Sequence, residues 1–413
     1  MLNRRHFLAG AVTTAALTVW KRPAFAAAST DSRLVVVILR GALDGLAAVP
    51  PVGDPDYANV RGALALGAAG SGENAALPLD RMFGLHPSLT GLHDSFKSGE
   101  LLVVHAVASP YRERSHFDGQ NVIENGGTAP SGSADGWLNR ALLKLPPNPG
   151  RRELGLALGQ NVPLILRGRA EVASWAPSIL PNAGRDFLDR LADLYSDDPA
   201  LSARLSEAVN VSDMVEADTS MDAPASAQQP KNDAMRPARD GFARLRQITA
   251  NAGKLLAADN GPRVAVFDAT GWDTHANEGS SQGALSPRLR GLDEALKSLR
   301  TALGPVWRQT AVVVMTEFGR TVQINGSRGT DHGTATCALV LGGAVNGGRV
   351  IADWPGLRTA DLYQGRDLKP THDLRAVLKG VLHEHLAIDP ASLGRDVFPG
   401  SSSVAPLTGL IRT

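Results

Sequence analysis

The side chains best placed for chemistry are Asp44, Asp273, His275, Glu317 and His332. Asp44 closes Arg40-Gly41-Ala42-Leu43-Asp44, and Asp273 and His275 lie in Gly271-Trp272-Asp273-Thr274-His275. Glu317 opens Glu317-Phe318-Gly319-Arg320-Thr321, and His332 lies in Gly329-Thr330-Asp331-His332-Gly333. Mixed carboxylate and imidazole ligands suit zinc, manganese or a similar divalent ion. Without a cation, clustered carboxylates would repel one another. Each residue also has a local use. Asp44 suits a turn before Gly45, Asp273 and His275 can cap a helix, Glu317 can pair with Arg320, and His332 can bond to backbone. What favours a shared site is their repeated placement beside short apolar runs.

A second polar cluster spans Tyr111-Arg112-Glu113-Arg114-Ser115-His116-Phe117-Asp118. Ser115 could be a nucleophile and His116 its base or a metal ligand. Adjacent residues rarely face each other, so a Ser115–His116 dyad is geometrically weak, and a surface loop of ion pairs is the alternative. Arg114 and Arg320 suit an anionic oxygen, because guanidinium matches phosphate and sulfate; structural pairing is the alternative for both. His383-Glu384-His385 is a poor metal pair, since residues two apart on a helix point to different faces. His86-Pro87 reads as part of a structured loop, and His93, His105 and His372 have no clear context. Ala65–Gly72 is glycine-rich but lacks the Gly-Lys-Ser/Thr of a phosphate loop, so nucleotide cofactors have little support.

The positioning elements are apolar runs at Leu34–Leu39, Leu101–Val107, Val264–Phe267, Ala311–Met315 and Ala338–Leu341. Most are continuously apolar, as in strands of a parallel sheet covered on both faces. Helical patterns lie near 185–195, over 240–257, after Ser286-Pro287, and from Asp373 to Leu386. Strands alternating with helices predict an α/β layered fold, and ligands of such sheets bind beyond the carboxyl ends of the strands. Residues 211–239, rich in Ser, Asp, Ala, Pro and Gln, read as a mobile insertion.

The chain has 413 residues, with 43% apolar and 20% charged, which excludes a disordered polymer. Aromatics are 5% and net charge is +1, so neither a stacking platform nor a basic field points to nucleic acid. The N-terminus is different in character. Asn3-Arg4-Arg5-His6-Phe7-Leu8 precedes a mild apolar stretch to Val19, and Ala24-Phe25-Ala26 suits a cleavage site. This segment resembles a twin-arginine export signal. The apolar stretch is short for a membrane span, which needs about 20 residues. Residues 1–26 hold four of the 42 basic residues and no acid; the remainder, 38 basic against 41 acidic, carries −3. Cleavage near Ala26 would leave one domain over 27–413, periplasmic or secreted, with no stable membrane span. Cys337 is the single cysteine, so no internal disulfide forms, and its apolar run marks it as a core residue.

Together, Arg40-Gly41-Ala42-Leu43-Asp44-Gly45, Ser115-His116-Phe117-Asp118, Gly271-Trp272-Asp273-Thr274-His275, Thr316-Glu317-Phe318-Gly319-Arg320-Thr321 and Asp331-His332-Gly333-Thr334-Ala335 resemble the exported domain-of-unknown-function 1501 family. That family looks like a distant branch of the alkaline phosphatase and sulfatase superfamily. The resemblance implies a three-layer α/β/α sandwich with a mostly parallel central sheet and a metal centre at the strand ends. It implies Asp44, Asp273, His275, Glu317 and His332 as ligands of zinc, manganese, magnesium or calcium. Phe318 stands where that superfamily has a histidine ligand. The implied activity is hydrolysis of a phosphate or sulfate ester, with Ser115 or water as nucleophile, His116 beside it and Arg320 on the anionic substrate. A non-catalytic periplasmic binding or accessory protein on the same fold is the alternative. The implied partners are the twin-arginine translocase during export and the anionic ester, not nucleic acid.

Overall fold

The computed structural model describes residues 31–413 except 69, 73, 147–153, 160, 177–190, 193, 196–197 and 217–235. The proposed signal at 1–26 and most of the pattern at 185–195 lie outside these residues. Of the stretch 211–239, residues 211–216 end the helix Pro199–Glu216 and residues 236–239 begin the helix Arg236–Ala257, while 217–235 lie outside the described residues.

A mixed sheet forms the middle layer. Its strands are β1 (Arg33–Arg40), β4 (Leu101–Ala108), β5 (Gly155–Leu158), β6 (Val172–Trp175), β7 (Val264–Thr270), β8 (Thr310–Thr316), β9 (Thr336–Leu341), β10 (Arg349–Ile351) and β11 (His372–Asp373). A small hairpin of β2 (Leu77–Pro78) and β3 (Gly84–Leu85) stands apart. The sheet order is β10-β4-β9-β8-β1-β7-β5-β6, with β11 beside β4. β1 pairs parallel to β7 and β8, with Val36 opposite Val266 and Val313. β9 runs antiparallel to both β8 and β4. The 19 residues from Glu317 to Ala335 contain no helix, and a parallel return needs a crossover of that kind.

The continuous apolar runs are explained by burial on two sides. Val35, Val37, Leu39, Val312 and Val314 pack in one core with Leu255, Leu289, Leu292 and Leu299 of the helices Arg236–Ala257 and Leu285–Leu303. The alternate residues Leu34, Val36, Ile38, Val313 and Met315 pack in another with Trp137, Leu138, Val377 and Val381 of the helices Trp137–Leu142 and Leu374–Leu386. Successive side chains of a strand point to opposite faces, so two cores mean two covering layers. The fold is therefore a three-layer α/β/α sandwich with a mostly parallel sheet. Cys337 is buried in the first core, and burial pushes its thiol up to about 12. No helix among the described residues is long and apolar enough to cross a membrane.

Candidate metal centre

Three loops and one helix meet beyond the carboxyl ends of β1, β7 and β8. After β7, Trp272 is buried and its Nε1 donates to Ala269 O at 2.9 Å, which pins the loop carrying Asp273 and His275. After β1, Gly41 has φ +119°, and a Cβ there would lie 2.7 Å from the Asp273 nitrogen, so glycine lets the two loops touch. After β8, Arg320 forms an antiparallel bridge with His332, which folds the loop before β9 back over the site. His116 opens the helix His116–Asn125, with Ser115 in extended conformation before it.

Four side chains converge here. His332 Nε2 lies 2.9 Å from His116 Nε2, 3.0 Å from His275 Nε2 and 3.2 Å from Asp273 Oδ1. His275 Nε2 is 3.0 Å from Asp273 Oδ1, and His116 Nε2 is 3.5 Å from Asp273 Oδ2. The other nitrogen of each ring determines what these atoms are. His332 Nδ1 lies 2.9 Å from the carbonyl of Arg114, which can only accept, so Nδ1 carries the hydrogen. His116 Nδ1 donates to Glu317 Oε1 at 2.8 Å, and His275 Nδ1 to Asp331 Oδ1 at 3.1 Å. In the neutral rings all three Nε2 atoms are then lone pairs, aimed at one another and at a carboxylate oxygen. Such a centre calls for a cation, either protons or a metal.

The donor set fits a metal. Ligands about 2.0–2.1 Å from a tetrahedral zinc stand about 3.3 Å apart, close to the spacings found here. Metal-bound histidines almost always donate their second N–H to a carboxylate or carbonyl, as all three rings do. The hydrogen bond that His116 donates to Glu317 holds its ring above the ordinary histidine range against the effect of its burial. His332 is held below that range, chiefly by burial and also by the neighbouring His116. Burial alone would raise the Asp273 carboxyl, but Arg320 outweighs it and keeps Asp273 ionised. Phe318 stacks on His116 with ring centroids 5.0 Å apart and lies 5.3 Å from His332, so it walls the site rather than ligating.

The remaining candidate residues take other places. Glu317 Oε1 accepts from His116, from Gly41 N at 2.9 Å and from Gln120 Nε2 at 3.2 Å, so its carboxylate backs His116. Asp44 caps the short helix Gly45–Ala48 by accepting from Leu46 N and Ala47 N, and its other oxygen lies 2.5 Å from Arg61 Nη2. Arg320 is buried and spends its guanidinium on Asp273 Oδ1 at 2.5 Å and on both oxygens of Thr330. Ser115 N donates to Tyr111 Oη at 3.3 Å, and its side chain makes no capping bond to the helix. Arg114 has φ +58°, an uncommon conformation for a non-glycine residue, and offers its carbonyl to His332. Its own guanidinium is paired with Asp367 at 2.7 Å.

Sequence reasoning passed over Asp331, Thr330, Gln120, Asn325, Arg61 and Glu278 as site residues. Asp331 had a signal, since it adjoins His332 in the quoted motif. Asn325 Nδ2 donates to Asp331 Oδ1 and to His275 O, both at 3.0 Å, but nothing in its loop context marks it.

The family model described as "Protein of unknown function (DUF1501)" matches residues 31–395. The chain belongs to that family. A comparison with curated proteins gave no match. Among solved structures, Ps i-CgsB in complex with k-i-k-neocarrahexaose is similar at TM-score 0.36 and 10% identity, covering 75% of this chain and 65% of that one. The chain thus spans just under two thirds of that protein's length. The lipoteichoic acid synthase LtaP from Listeria monocytogenes is similar at TM-score 0.36 and 11% identity, covering 92% and 79%. A TAB5 alkaline phosphatase mutant with Mg bound is similar at TM-score 0.32 and 13% identity, covering 75% and 90%.

Proposed function

We propose that this chain is an exported, metal-dependent hydrolase of a phosphate or sulfate ester. The observation that carries the reading is the convergence of His116, His275 and His332 Nε2 with Asp273, each ring oriented through its Nδ1. His116, Asp273 and His332 place ligand atoms within 4.8 Å of one another. Three imidazoles favour zinc or a similar transition ion over magnesium or calcium, which prefer all-oxygen sites. Such an ion, when bound, polarises an ester oxygen and makes water more acidic. The protein's own contribution is orientation. Glu317, Asp331 and the Arg114 carbonyl fix the rings, Arg320 keeps Asp273 ionised, and Phe318 closes one side. With Arg320 held by Asp273 and Thr330, its work falls on the ligand rather than on substrate.

One observation favours a second reading, a binding or accessory protein on the same fold. Ser115 lacks a bond to His116 that would activate it, so turnover depends on water. Metal analysis of the purified mature protein tests the site, with D273A and H275A expected to lose the ion. A panel of aryl phosphates and sulfates then separates the two readings: turnover supports the hydrolase, and bound metal without turnover supports the binding protein. Export by the twin-arginine translocase, with cleavage near Ala26, belongs to the same proposal. It is supported by the paired Arg4 and Arg5, and periplasmic appearance that is lost in R4K/R5K would test it.

A further inference from the structure

Behind Asp273 lies a buried polar chain. Thr330 is fully buried. Its hydroxyl donates to Glu278 Oε2 at 2.7 Å and accepts from Arg320 Nε at 3.1 Å. Its carbonyl accepts from Arg320 Nη2. The third guanidinium nitrogen, Nη1, donates to Asp273 Oδ1 at 2.5 Å. Glu278 is itself anchored: its N–H donates to Arg328 O at 3.0 Å, and its carboxyl sits 3.8 Å from Arg61 Nη2. Arg61 in turn holds Asp44 at 2.5 Å and donates to the Thr321 and Val322 carbonyls.

We propose that Thr330 is a positioning residue for the metal site: its hydroxyl ties Arg320 to the buried acid Glu278 and so determines where Asp273 presents Oδ1. The inference rests on the metal reading above. A guanidinium donates in a fixed planar fork, so the direction of Nη1 follows from where Nε and Nη2 are held. Thr330 holds both. Loss of its hydroxyl would free Nε, leave a buried acceptor on Glu278 without its donor, and let the fork rotate away from Asp273. The Thr330 carbonyl alone cannot fix two directions.

The test compares T330V with T330S. T330V keeps the shape and removes the hydroxyl; T330S keeps the hydroxyl. Zinc titration of metal-free protein by calorimetry should show T330V weaker by about 10–100-fold, the usual loss when a group supporting a ligand is removed, with T330S close to the native protein. Metal-free crystal structures should show the Asp273 carboxylate displaced in T330V and in place in T330S. A lower melting temperature for T330V with native zinc affinity, or an undisplaced Asp273, overturns the proposal. If the native protein takes no zinc, the metal reading fails, and the position of Asp273 in the metal-free structures still decides this one. If T330V fails to fold, T330A replaces it, with the same two outcomes.

Discussion

Replacing Glu317 by glutamine isolates the charge behind His116. Glu317 is fully buried, and its Oε1 takes three donors: His116 Nδ1 at 2.8 Å, Gly41 N and Gln120 Nε2. Its Oε2 lies 3.0 Å from Thr316 Oγ1. In E317Q the amide oxygen can keep all three donors, and the amide N–H₂ can donate to the Thr316 hydroxyl, so the shape and hydrogen bonds survive. Only the charge goes. A charge-assisted hydrogen bond is roughly twice as strong as a neutral one, and a carboxylate behind a ligating histidine makes that ring a better donor to metal. Zinc affinity should fall about 10–100-fold, or about 1.4–2.7 kcal/mol. Calorimetric titration above neutral pH, with near-UV dichroism to confirm the fold, reads this directly.

The metal-free protein should respond to pH in its own way. Glu317 raises the folded pKa of His116. The stability supplied by that pair is fully present below the unfolded histidine value, about 6.5, and is lost as pH rises through the folded pKa. Without metal, E317Q should therefore destabilise most on the acid side and least on the alkaline side. With zinc the order reverses, because the metal competes with the His116 proton and binds better as pH rises. An unchanged zinc affinity in E317Q, or a metal-free stability gap that widens with rising pH, would refute the account of His116.

Three further outcomes are expected. H332A should abolish stoichiometric metal, whereas H383A should not, because His383 stands apart from the group in which His116, Asp273 and His332 bring ligand atoms within 4.8 Å of one another; metal analysis of both proteins distinguishes ligation from histidine count. G41A should destabilise by more than about 1 kcal/mol and weaken metal binding, since its Cβ would meet the Asp273 nitrogen at 2.7 Å; urea melts and titration check both. Burial, and next the Asp44 carboxylate, raise Glu278 well above the ordinary glutamate range. Native stability should then fall as pH climbs from the unfolded value, about 4.3, through the folded pKa, and E278Q should flatten that decline in urea midpoints taken across the series.

The strands were legible because burial on both faces imposes an unbroken apolar run, and β1, β4, β7, β8 and β9 all show one. Short or half-exposed strands such as β6 and β10 leave no such run. Strand direction was less legible, since β9 has the composition of a parallel strand and only its helix-free connection makes it antiparallel. At the site, the rule that ligands gather beyond strand ends brought Asp273, His275, Glu317 and His332 into one neighbourhood. It could not separate residues that present a lone pair from residues that orient one. Glu317 and Asp273 both follow strands, yet one backs a ring and the other faces the centre.

Asp44 shows why that distinction is physical. The chain turns into a helix directly after it, so the free N–H groups of Leu46 and Ala47 claim one of its oxygens. The other is claimed by Arg61, which no local pattern connects to it. Burial acts to raise the Asp44 carboxyl, but Arg61 outweighs it and keeps the acid ionised. With both oxygens engaged, Asp44 offers little to a metal, and its charge instead offsets that of Arg61 beside Glu278. The site therefore divides its acids into three kinds of work. Asp273 faces the three imidazole Nε2 atoms, Glu317 and Asp331 orient the histidines, and Asp44, beside Glu278, balances the guanidinium that backs the loop before β9. Residue type and strand-end position do not distinguish these roles. The hydrogen-bond partner of each second oxygen or nitrogen does.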